Sequence, residues 1–229
     1  MRMLTYSVDT MNIKAQTIAT LRQFDIGNKF AHLALPKAAV LIPLFVKGEE
    51  LYTVMTLRSK ELRTNAGEVC FPGGKRDPID IDDVETALRE AQEEIGLPHQ
   101  VEVVCKLAPV FNKSGLIVTP VVGFIDQNFT ASPNPAEVSA VFTVPLDLFT
   151  QEKNHSEFQG ISGVVGPLHF FNYMDPISNT QYQIWGLTAW LAMLVAVCAL
   201  QKKTEFEVGI DFKDALHVFE QNLLKVSKL

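Results

Sequence analysis

Three glutamates on one stretch of chain, Glu90, Glu93 and Glu94, have the residue type and spacing for chemistry with a divalent cation. In a helix, residues three and four apart are neighbours, so these carboxylates share one flank and repel one another. A hard cation such as Mg²⁺ or Mn²⁺ offsets this repulsion, because it prefers oxygen ligands and combines a few carboxylates with phosphate oxygens of a substrate. The pattern suits metal-assisted chemistry, whereas the commoner interpretation of such a pattern by itself is an acidic helix face exposed to solvent.

The local sequence also predicts the helix that would hold these side chains. Asp82, with Glu85 three residues later, is typical of a helix start, and Gly96 before a Leu-Pro pair is typical of a left-handed helix end. Apolar residues recur between these ends at three- and four-residue steps and make one stripe for a core: Val84, Ala87, Leu88, Ala91 and Ile95. Arg89 is spaced to pair with Glu85 or with Glu93, and it does not neutralise the cluster.

The spacing of these residues resembles the signature of the Nudix hydrolases, G-x5-E-x7-R-E-U-x-E-E-x-G-U, in which U is aliphatic. The chain supplies Gly74 and then, over residues 89–97, the run Arg-Glu-Ala-Gln-Glu-Glu-Ile-Gly-Leu. It departs from the signature at the early acid, which is Asp80 and is separated by eight residues instead of seven from the arginine. Asp82 or Asp83 could equally take that structural role, so the assignment stays open at this stage.

The resemblance implies a metal-dependent hydrolase in which Glu90 and Glu94 are the principal ligands of Mg²⁺ or Mn²⁺. Glu93 would share a metal directly or through water, and Arg89 would orient the glutamates. Glu137 lies in a loop that, by the same resemblance, is near the metals; the alternative is an ordinary solvent-exposed acid. The general base stays open among Glu93, Glu94 and Glu137, because carboxylates that share metals titrate together.

A second pattern, over residues 56–74, resembles the coenzyme A pyrophosphatase branch of the Nudix enzymes. It has the form Thr-x-Arg-Ser-x3-Arg-x3-Gly-x3-Phe-Pro-Gly-Gly. Five cations gather within nineteen residues, at Arg58, Lys60, Arg63, Lys75 and Arg76. Such a cluster suits a substrate with a diphosphate and a separate phosphate, although surface pairing with nearby acids is the alternative. The predicted substrate-binding residues are Arg58, Ser59, Arg63, Gly73, Gly74, Lys75 and Arg76.

The reaction implied by this resemblance is hydrolysis of the diphosphate of coenzyme A and acyl-coenzyme A. The products would be 3′-phosphoadenosine 5′-phosphate and (acyl-)4′-phosphopantetheine. One alternative is a Nudix pyrophosphatase for another nucleoside diphosphate derivative, such as NADH or ADP-ribose. The NADH branch usually carries a Ser-Gln-Pro-Trp-Pro-Phe-Pro stretch, which is absent from the sequence. The other alternative is a non-catalytic coenzyme A-binding module, against which the intact glutamate cluster argues.

Composition and charge limit the classes of protein that the chain can represent. Apolar residues make up 47% and charged residues 20% of the 229 residues, which is typical of a globular protein. The net charge of −6 argues against a general nucleic-acid binder, for which a broad basic face is expected. The three cysteines, Cys70, Cys105 and Cys198, show no paired spacing, which indicates a reducing environment and neither a disulfide framework nor a zinc site.

The sequence predicts an α/β Nudix fold, with a mixed sheet sandwiched between helices. Residues 1–37 are an N-terminal extension with a short helix over Thr17–Phe24, residues 38–200 are the Nudix domain, and residues 201–229 are a C-terminal helix and tail. Strands are expected over Ala38–Val46, Leu51–Leu57, Val101–Phe111 and Leu116–Ile125, the last interrupted by Pro120. The uncharged run Ile184–Leu200 is expected to form a helix on the sheet face opposite the glutamates; a membrane span, for which it is short, is the alternative.

The last three residues given, Ser227-Lys228-Leu229, form the tripeptide that a peroxisomal import receptor reads at a free carboxyl terminus. The expected location is therefore the peroxisomal matrix, where the enzyme would regulate coenzyme A levels. The expected partners are coenzyme A, its thioesters and the import receptor, without nucleic acid and without a membrane span.

Overall fold

In a computed structural model of the chain, a mixed sheet is organised around its central strand β1 (Lys37–Lys47). The structure describes residues 2–98, 100–112, 115–159, 167–209 and 211–226, without the side chains of residues 2–10 and 226. The other strands of this sheet are β2 (Glu50–Arg58), β3 (Val69–Cys70), β4 (Gly73–Lys75), β5 (Glu102–Lys106), β6 (Val110–Phe111), β7 (Ile117–Phe124) and β8 (Val138–Pro145). They run in the order β3-β2-β1-β7-β5, while β4 pairs with β1, β6 with β7 and β8 with β2. The pairing of β1 with β7 is parallel and the other pairings are antiparallel.

Helices cover both faces of the sheet. They are α1 (Arg2–Leu21), α2 (Asp83–Ile95), α3 (Gly186–Leu200) and α4 (Ala215–Val226). Side chains of a strand alternate between faces, so Leu41 and Phe45 of β1 join Ala87 and Ala91 of α2 in one core. The intervening side chains, such as Ile42 and Leu44, join α3 in the other core, which also takes in Leu21 at the end of α1. The predicted layering, with the glutamate helix and the apolar helix on opposite faces, is confirmed.

A smaller antiparallel sheet lies beside β3. It consists of β9 (His155–Phe158), β10 (Leu168–Met174) and β11 (Gln181–Trp185), in the order β11-β10-β9. Its inner face joins the main core: the ring of Tyr182 stacks on that of Phe142 of β8, with ring centroids 3.7 Å apart. The start of α3 fastens this sheet to the first, because the Thr188 hydroxyl donates to the carbonyl of Val69 over 3.0 Å.

Capping groups end α2 where the sequence predicts. The Asp82 side chain accepts the N–H of Glu85 over 2.9 Å at the start of the helix. Gly96 follows the helix in the left-handed conformation, at φ 69°, and its N–H donates to the carbonyl of Gln92. Both ends are therefore set by residues within four positions of the helix, and the predicted boundaries are confirmed.

Two predicted elements differ from the structure. The amino-terminal helix extends over Arg2–Leu21 and is followed by a 3₁₀ turn, whereas the short helix was predicted only from Thr17. Thr17 and Leu21, one helical turn apart, are both buried, so tertiary packing stabilises this helix. The predicted strand over residues 101–111 is divided into β5 and β6. Pro120 of β7 lies opposite the gap between β5 and β6. Proline has no N–H to donate, and at this gap the sheet does not need one.

The apolar run near the carboxyl end forms α3, with fifteen residues over Gly186–Leu200. Most of its side chains are buried against the sheet and α1. Within the part of the chain that the structure describes, no helix is long and apolar enough to cross a membrane. The C-terminal helix is confirmed as α4, which a 3₁₀ turn over Phe212–Asp214 precedes. Residues 227–229 lie outside the described residues, and the division of the chain at residues 37 and 200 stays a prediction.

Candidate active site

Glu94 is the most buried of the clustered acids, with its side chain only 2% exposed. Its carboxylate accepts the N–H of Gly73 over 3.2 Å and lies 3.7 Å from the Arg58 guanidinium. Burial is the main cause that raises its pKa to about 7, and the charges of Glu90 and Glu137 act in the same direction. The Gly73 hydrogen bond and Arg58 oppose the rise without cancelling it. Arg58 therefore offsets only part of the cost of burying a charge on Glu94.

Gly73 and Gly74, in the turn before α2, lie so close to neighbouring atoms that neither position has room for a side chain. A Cβ at Gly74 would lie 2.5 Å from each carboxylate oxygen of Glu90, so a side chain there would collide with that acid. A Cβ at Gly73 would lie 2.6 Å from the Val40 backbone, and Gly73 has a φ of +156°. The turn therefore presents main chain without side chains to the helix.

Arg89 is held by a two-pronged ion pair with Asp80. Its Nε donates to Oδ1 over 2.8 Å and its Nη2 donates to Oδ2 over 3.0 Å. The hydrogen bonds from Arg89 hold the pKa of Asp80 well below its usual range, and Asp80 in turn raises the pKa of Arg89. Asp82 caps α2, and Asp83 accepts the hydroxyl of Thr119 over 3.0 Å. Among the three acids left open above, Asp80 is therefore the one that positions the arginine.

The remaining nitrogen of Arg89 reaches the glutamate cluster. Nη1 lies 3.0 Å from Glu90 and 3.1 Å from Glu93, so one arginine joins the buried Asp80 to both acids. The Glu93 side chain is 52% exposed, in contrast to the 15% of Glu90. Burial raises the pKa of Glu90, which Arg89 counteracts. The predicted orienting contact of Arg89 is present.

Glu137 lies in the loop before β8 and is tied to α2 through Asn134. The Asn134 N–H donates to the Glu94 carbonyl over 2.9 Å, and its side-chain amide donates to the Glu137 carboxylate over 3.1 Å. The loop also connects to the basic segment, because the Ser59 N–H donates to the Glu137 carbonyl over 2.8 Å. The charge of Glu137 raises the pKa of both Glu90 and Glu94, which places it on their side of the site.

The five cations of the basic cluster fall into two groups. Arg58 lies beside Glu94, and Arg76 is occupied within its own loop, where Nη2 donates to the carbonyls of Asp80 and Ile81. The side chains of Lys60, Arg63 and Lys75 are exposed. Ser59 is buried, and its hydroxyl accepts the N–H of Glu61 over 3.3 Å, so its side chain shapes the turn.

Comparison with known proteins places these features in a family. The NUDIX domain model matches residues 35–161, which is more than half of the chain. The chain belongs to the Nudix family. It is 48% identical, over 90% of its length and 88% of the relative's, to the peroxisomal coenzyme A diphosphatase NUDT7 of Mus musculus. It is 43% identical to the mitochondrial Nudix hydrolase 15 of Arabidopsis thaliana, over 74% of this chain and 61% of that protein.

A solved structure of a MutT/nudix family protein from Enterococcus faecalis resembles this Nudix chain with 12% identity and a TM-score of 0.45. The match covers 93% of this chain and 92% of that one.

A divalent cation, which Nudix hydrolases generally need, fits the donor set of this Nudix chain. Within the described residues, no three His, Cys, Asp or Glu side chains already converge as a metal-binding cluster. Glu90 and Glu93 are turned toward Arg89, and Glu94 toward Gly73 and Arg58. The buried Glu94, and a Glu90 carboxylate set into the space that Gly74 leaves, are hard oxygen donors of the kind such an ion prefers.

Asn134 is a residue of the Nudix site that sequence reasoning missed. Its main chain and side chain both make the contacts that join Glu94 to Glu137. The local signal was an asparagine followed by proline, which predicts a turn and gives no indication of which distant helix the turn contacts.

Proposed function

We propose that the protein hydrolyses the diphosphate bond of coenzyme A and acyl-coenzyme A. The products are 3′-phosphoadenosine 5′-phosphate and (acyl-)4′-phosphopantetheine. The observation that carries the proposal is a pair of acids, the buried Glu94 and the partly buried Glu90, set against Gly73 and Gly74. Support for the substrate comes from the basic pattern over residues 56–74 and from 48% identity to a protein named as a coenzyme A diphosphatase.

The proposed cofactor is Mg²⁺ or Mn²⁺, held by Glu90 and Glu94 with Glu93 taking part directly or through water. When bound at such a site, the ion polarises phosphoryl oxygens and lowers the pKa of a water molecule. Glu94 must be ionised to serve as a ligand, and its raised pKa means that metal binding and loss of its proton are coupled.

The chain's own residues supply orientation and proton transfer. Arg89, fixed by Asp80, keeps Glu90 and Glu93 in place on the exposed flank of α2. Glu137, held by Asn134, is close enough for its charge to raise the pKa of Glu94, and it is a candidate general base alongside Glu93 and Glu94.

Exposed cations bind the separate phosphates of the substrate in this proposal. Lys60, Arg63 and Lys75 are free to reach solvent, and an arginine can contact a phosphate with two parallel hydrogen bonds. Arg58 lies closer to the acids, where it can contact the diphosphate next to Glu94. Gly73 and Gly74 place their main chain directly beside Glu94 and Glu90, where the diphosphate is proposed to bind. Ser59 and Arg76 act through the loops they hold.

The proposed location is the peroxisomal matrix, where the enzyme regulates coenzyme A levels. A relative named as peroxisomal supports this location. If Leu229 is the free carboxyl terminus, Ser227, Lys228 and Leu229 are the segment that the import receptor binds. Imaging of an amino-terminal fluorescent fusion, with and without residues 227–229, tests the assignment, and peroxisomal signal in both would contradict it.

Product analysis tests the proposed reaction. The protein is incubated with Mg²⁺ or Mn²⁺ and with coenzyme A, acyl-coenzyme A, NADH or ADP-ribose, and the products are separated by mass. Release of 3′-phosphoadenosine 5′-phosphate from coenzyme A is expected, with loss of turnover in EDTA. Preferential cleavage of NADH or ADP-ribose would refute the substrate, and metal-independent binding without turnover would indicate a binding module.

A further inference from the structure

The outer face of the small sheet carries a strip of apolar side chains. Strand pairing sets Leu168 opposite Phe158, and Phe170 opposite Trp185. Because directly opposed residues point to the same face of a sheet, and because Leu168 and Phe170 are two apart on β10, these four side chains share one face. We name them the outer apolar strip. The rings of Phe170 and Trp185 are nearly parallel, with centroids 5.9 Å apart.

The four side chains of the strip lie outside the hydrophobic core. The alternate residues of the same strands, such as Phe171 and Ile184, are fully buried and fill the core on the inner face. On the outer face, Phe158 is 57% exposed and the other three members are partly exposed. Leu187, in the first turn of α3, adds further exposed apolar surface next to Trp185 along the chain. A contiguous apolar surface of this kind is typical of a binding surface.

The strand β3 lies between the small sheet and the active site. The strand β11 contacts β3, and the Thr188 hydroxyl donates to the Val69 carbonyl. Four residues further on, the N–H of Gly73 contacts Glu94. Four residues of chain span at most about 13 Å, so Val69, beside which the small sheet packs, lies within that distance of Gly73.

We propose that the outer apolar strip binds the acyl chain of the thioester substrate. This inference rests on the proposed function. In an acyl-coenzyme A, the pantetheine arm separates the diphosphate from the apolar chain. With the diphosphate at Glu90 and Glu94, an arm laid along β3 brings the thioester to Trp185. The acyl chain then crosses β11, β10 and β9 in turn, from Trp185 over Phe170 to Leu168 and Phe158.

This path makes the effect of each residue depend on chain length. Neighbouring strands lie about 4.8 Å apart, so Phe158 on β9 lies roughly two strand spacings beyond Trp185. Short acyl chains end before they reach it. A long chain covers the whole strip and removes its apolar surface from water, which strengthens binding.

Two substitutions with a matched control test this path. Phe158→Thr and Phe170→Thr remove aromatic surface and keep a residue that suits a strand. We expect Phe158→Thr to lower kcat/KM about fivefold for dodecanoyl-coenzyme A and to leave octanoyl-coenzyme A less affected. Phe170→Thr should lower both, and neither should change free coenzyme A. Ile177→Thr is the control, because Ile177 is 83% exposed in the β10–β11 turn, away from the strip, and should change nothing.

Calorimetric binding in EDTA gives a second readout that needs no turnover. The affinity ratio of dodecanoyl-coenzyme A to free coenzyme A should fall in Phe158→Thr by the same factor as kcat/KM. An unchanged ratio, or an equal loss for free coenzyme A, would overturn the proposal. Sedimentation that shows a dimer in the wild type and a monomer in Phe158→Thr, with equal loss on all substrates, would assign the strip to a second copy. Absence of any coenzyme A hydrolysis in the wild type would refute the proposed function. The affinity ratio would still show whether the outer apolar strip binds the acyl chain.

Discussion

The carboxylate of Glu90 occupies the space that a side chain at Gly74 would need, since a Cβ there would lie 2.5 Å from each of its oxygens. A glycine on β4 and a glutamate sixteen positions later on α2 are therefore fitted to each other. We expect Gly74→Ala to displace Glu90 and lower kcat/KM at least 100-fold, with a loss of about 1–3 kcal/mol in the free energy of unfolding.

The double variant Gly74→Ala/Glu90→Ala separates the collision from a general effect of alanine in the strand. It should regain most of the stability that Gly74→Ala loses and remain inactive. Urea unfolding in EDTA and kcat/KM measure the two effects. Losses of stability that simply add would show that Gly74 and Glu90 do not interact.

Glu94→Gln should stabilise the protein at pH 8 while it abolishes activity. The pKa of Glu94 is about 7 in the folded protein against 4.5 for an ordinary glutamate, so the folded state binds more protons between these values. Wild-type stability therefore rises as the pH falls from 7 to 4.5, and at pH 8 the wild type carries the full cost of the buried charge. We expect the glutamine variant to be about 2 kcal/mol more stable at pH 8 and to show no gain near pH 4.5.

Urea unfolding in EDTA across pH 4.5–8 checks this expectation, with Glu93→Gln as the control. Glu93 is half exposed, so its neutral variant should show no comparable gain at high pH. A Glu94→Gln variant that is less stable than the wild type at pH 8 would contradict the account of a buried, insufficiently paired carboxylate.

Asp80→Asn should break the anchor of Arg89. The aspartate is buried and makes both hydrogen bonds of the pair, so its loss leaves a partly buried guanidinium without its main partner. We expect a loss of about 3 kcal/mol in the free energy of unfolding and at least a tenfold fall in kcat. Because the pKa of Asp80 is lowered in the fold, the stability difference from the wild type should persist from pH 8 to pH 5 and shrink only below pH 4.

Asp77→Asn is the matched control, since Asp77 is exposed and its side chain accepts only the N–H of Ile79 within the described residues. It should change stability by less than about 0.5 kcal/mol and leave kcat intact. Equal losses of stability and kcat in the two variants would show that the ion pair of Asp80 with Arg89 does not position the arginine.

Local chemistry made α2 predictable. Asp82 and Gly96 satisfy backbone groups within four residues of themselves, so the sequence alone determines both ends of the helix. The central strands were predictable for a similar reason, because the near-continuous apolar run of β1 indicates a strand that is covered on both faces of the sheet. The cluster of acids on α2 followed from their spacing on that helix and from the resemblance to the Nudix family.

Contacts between distant segments were not predictable in this way. Asp80, Asp82 and Asp83 are neighbours in sequence with the same chemistry, and only the packing of their loop against α2 selects Asp80 as the partner of Arg89. Likewise, the amino-terminal helix begins at Arg2, whereas it was predicted only from Thr17, because nothing in residues 2–16 marks so early a start. The burial of Glu94 also depends on Gly73 and Arg58, which come from other strands.

Asn134 offers the sharpest test of how the Glu137 loop is attached to the helix. Its amide group donates to the Glu137 carboxylate, and its side-chain oxygen accepts the N–H of Ala136. Asn134→Asp keeps that acceptor but replaces the donor with a second negative charge, whereas Asn134→Ala removes both contacts. If the position of Glu137 matters for proton transfer, both variants should lower kcat, by about tenfold or more, with little change in KM.

The aspartate variant should be the more impaired of the two, because its charge repels Glu137 and adds to the acids around Glu94. Asn128→Ala serves as the control: Asn128 also lies in a turn, where its amide bonds only to Asp126 within the described residues, and kcat should not change. A rise in KM at constant kcat would instead assign Asn134 to substrate binding. Equal activity of Asn134→Asp and the wild type would mean that Glu137 does not depend on this amide, and would leave Glu93 and Glu94 as the candidates for the base.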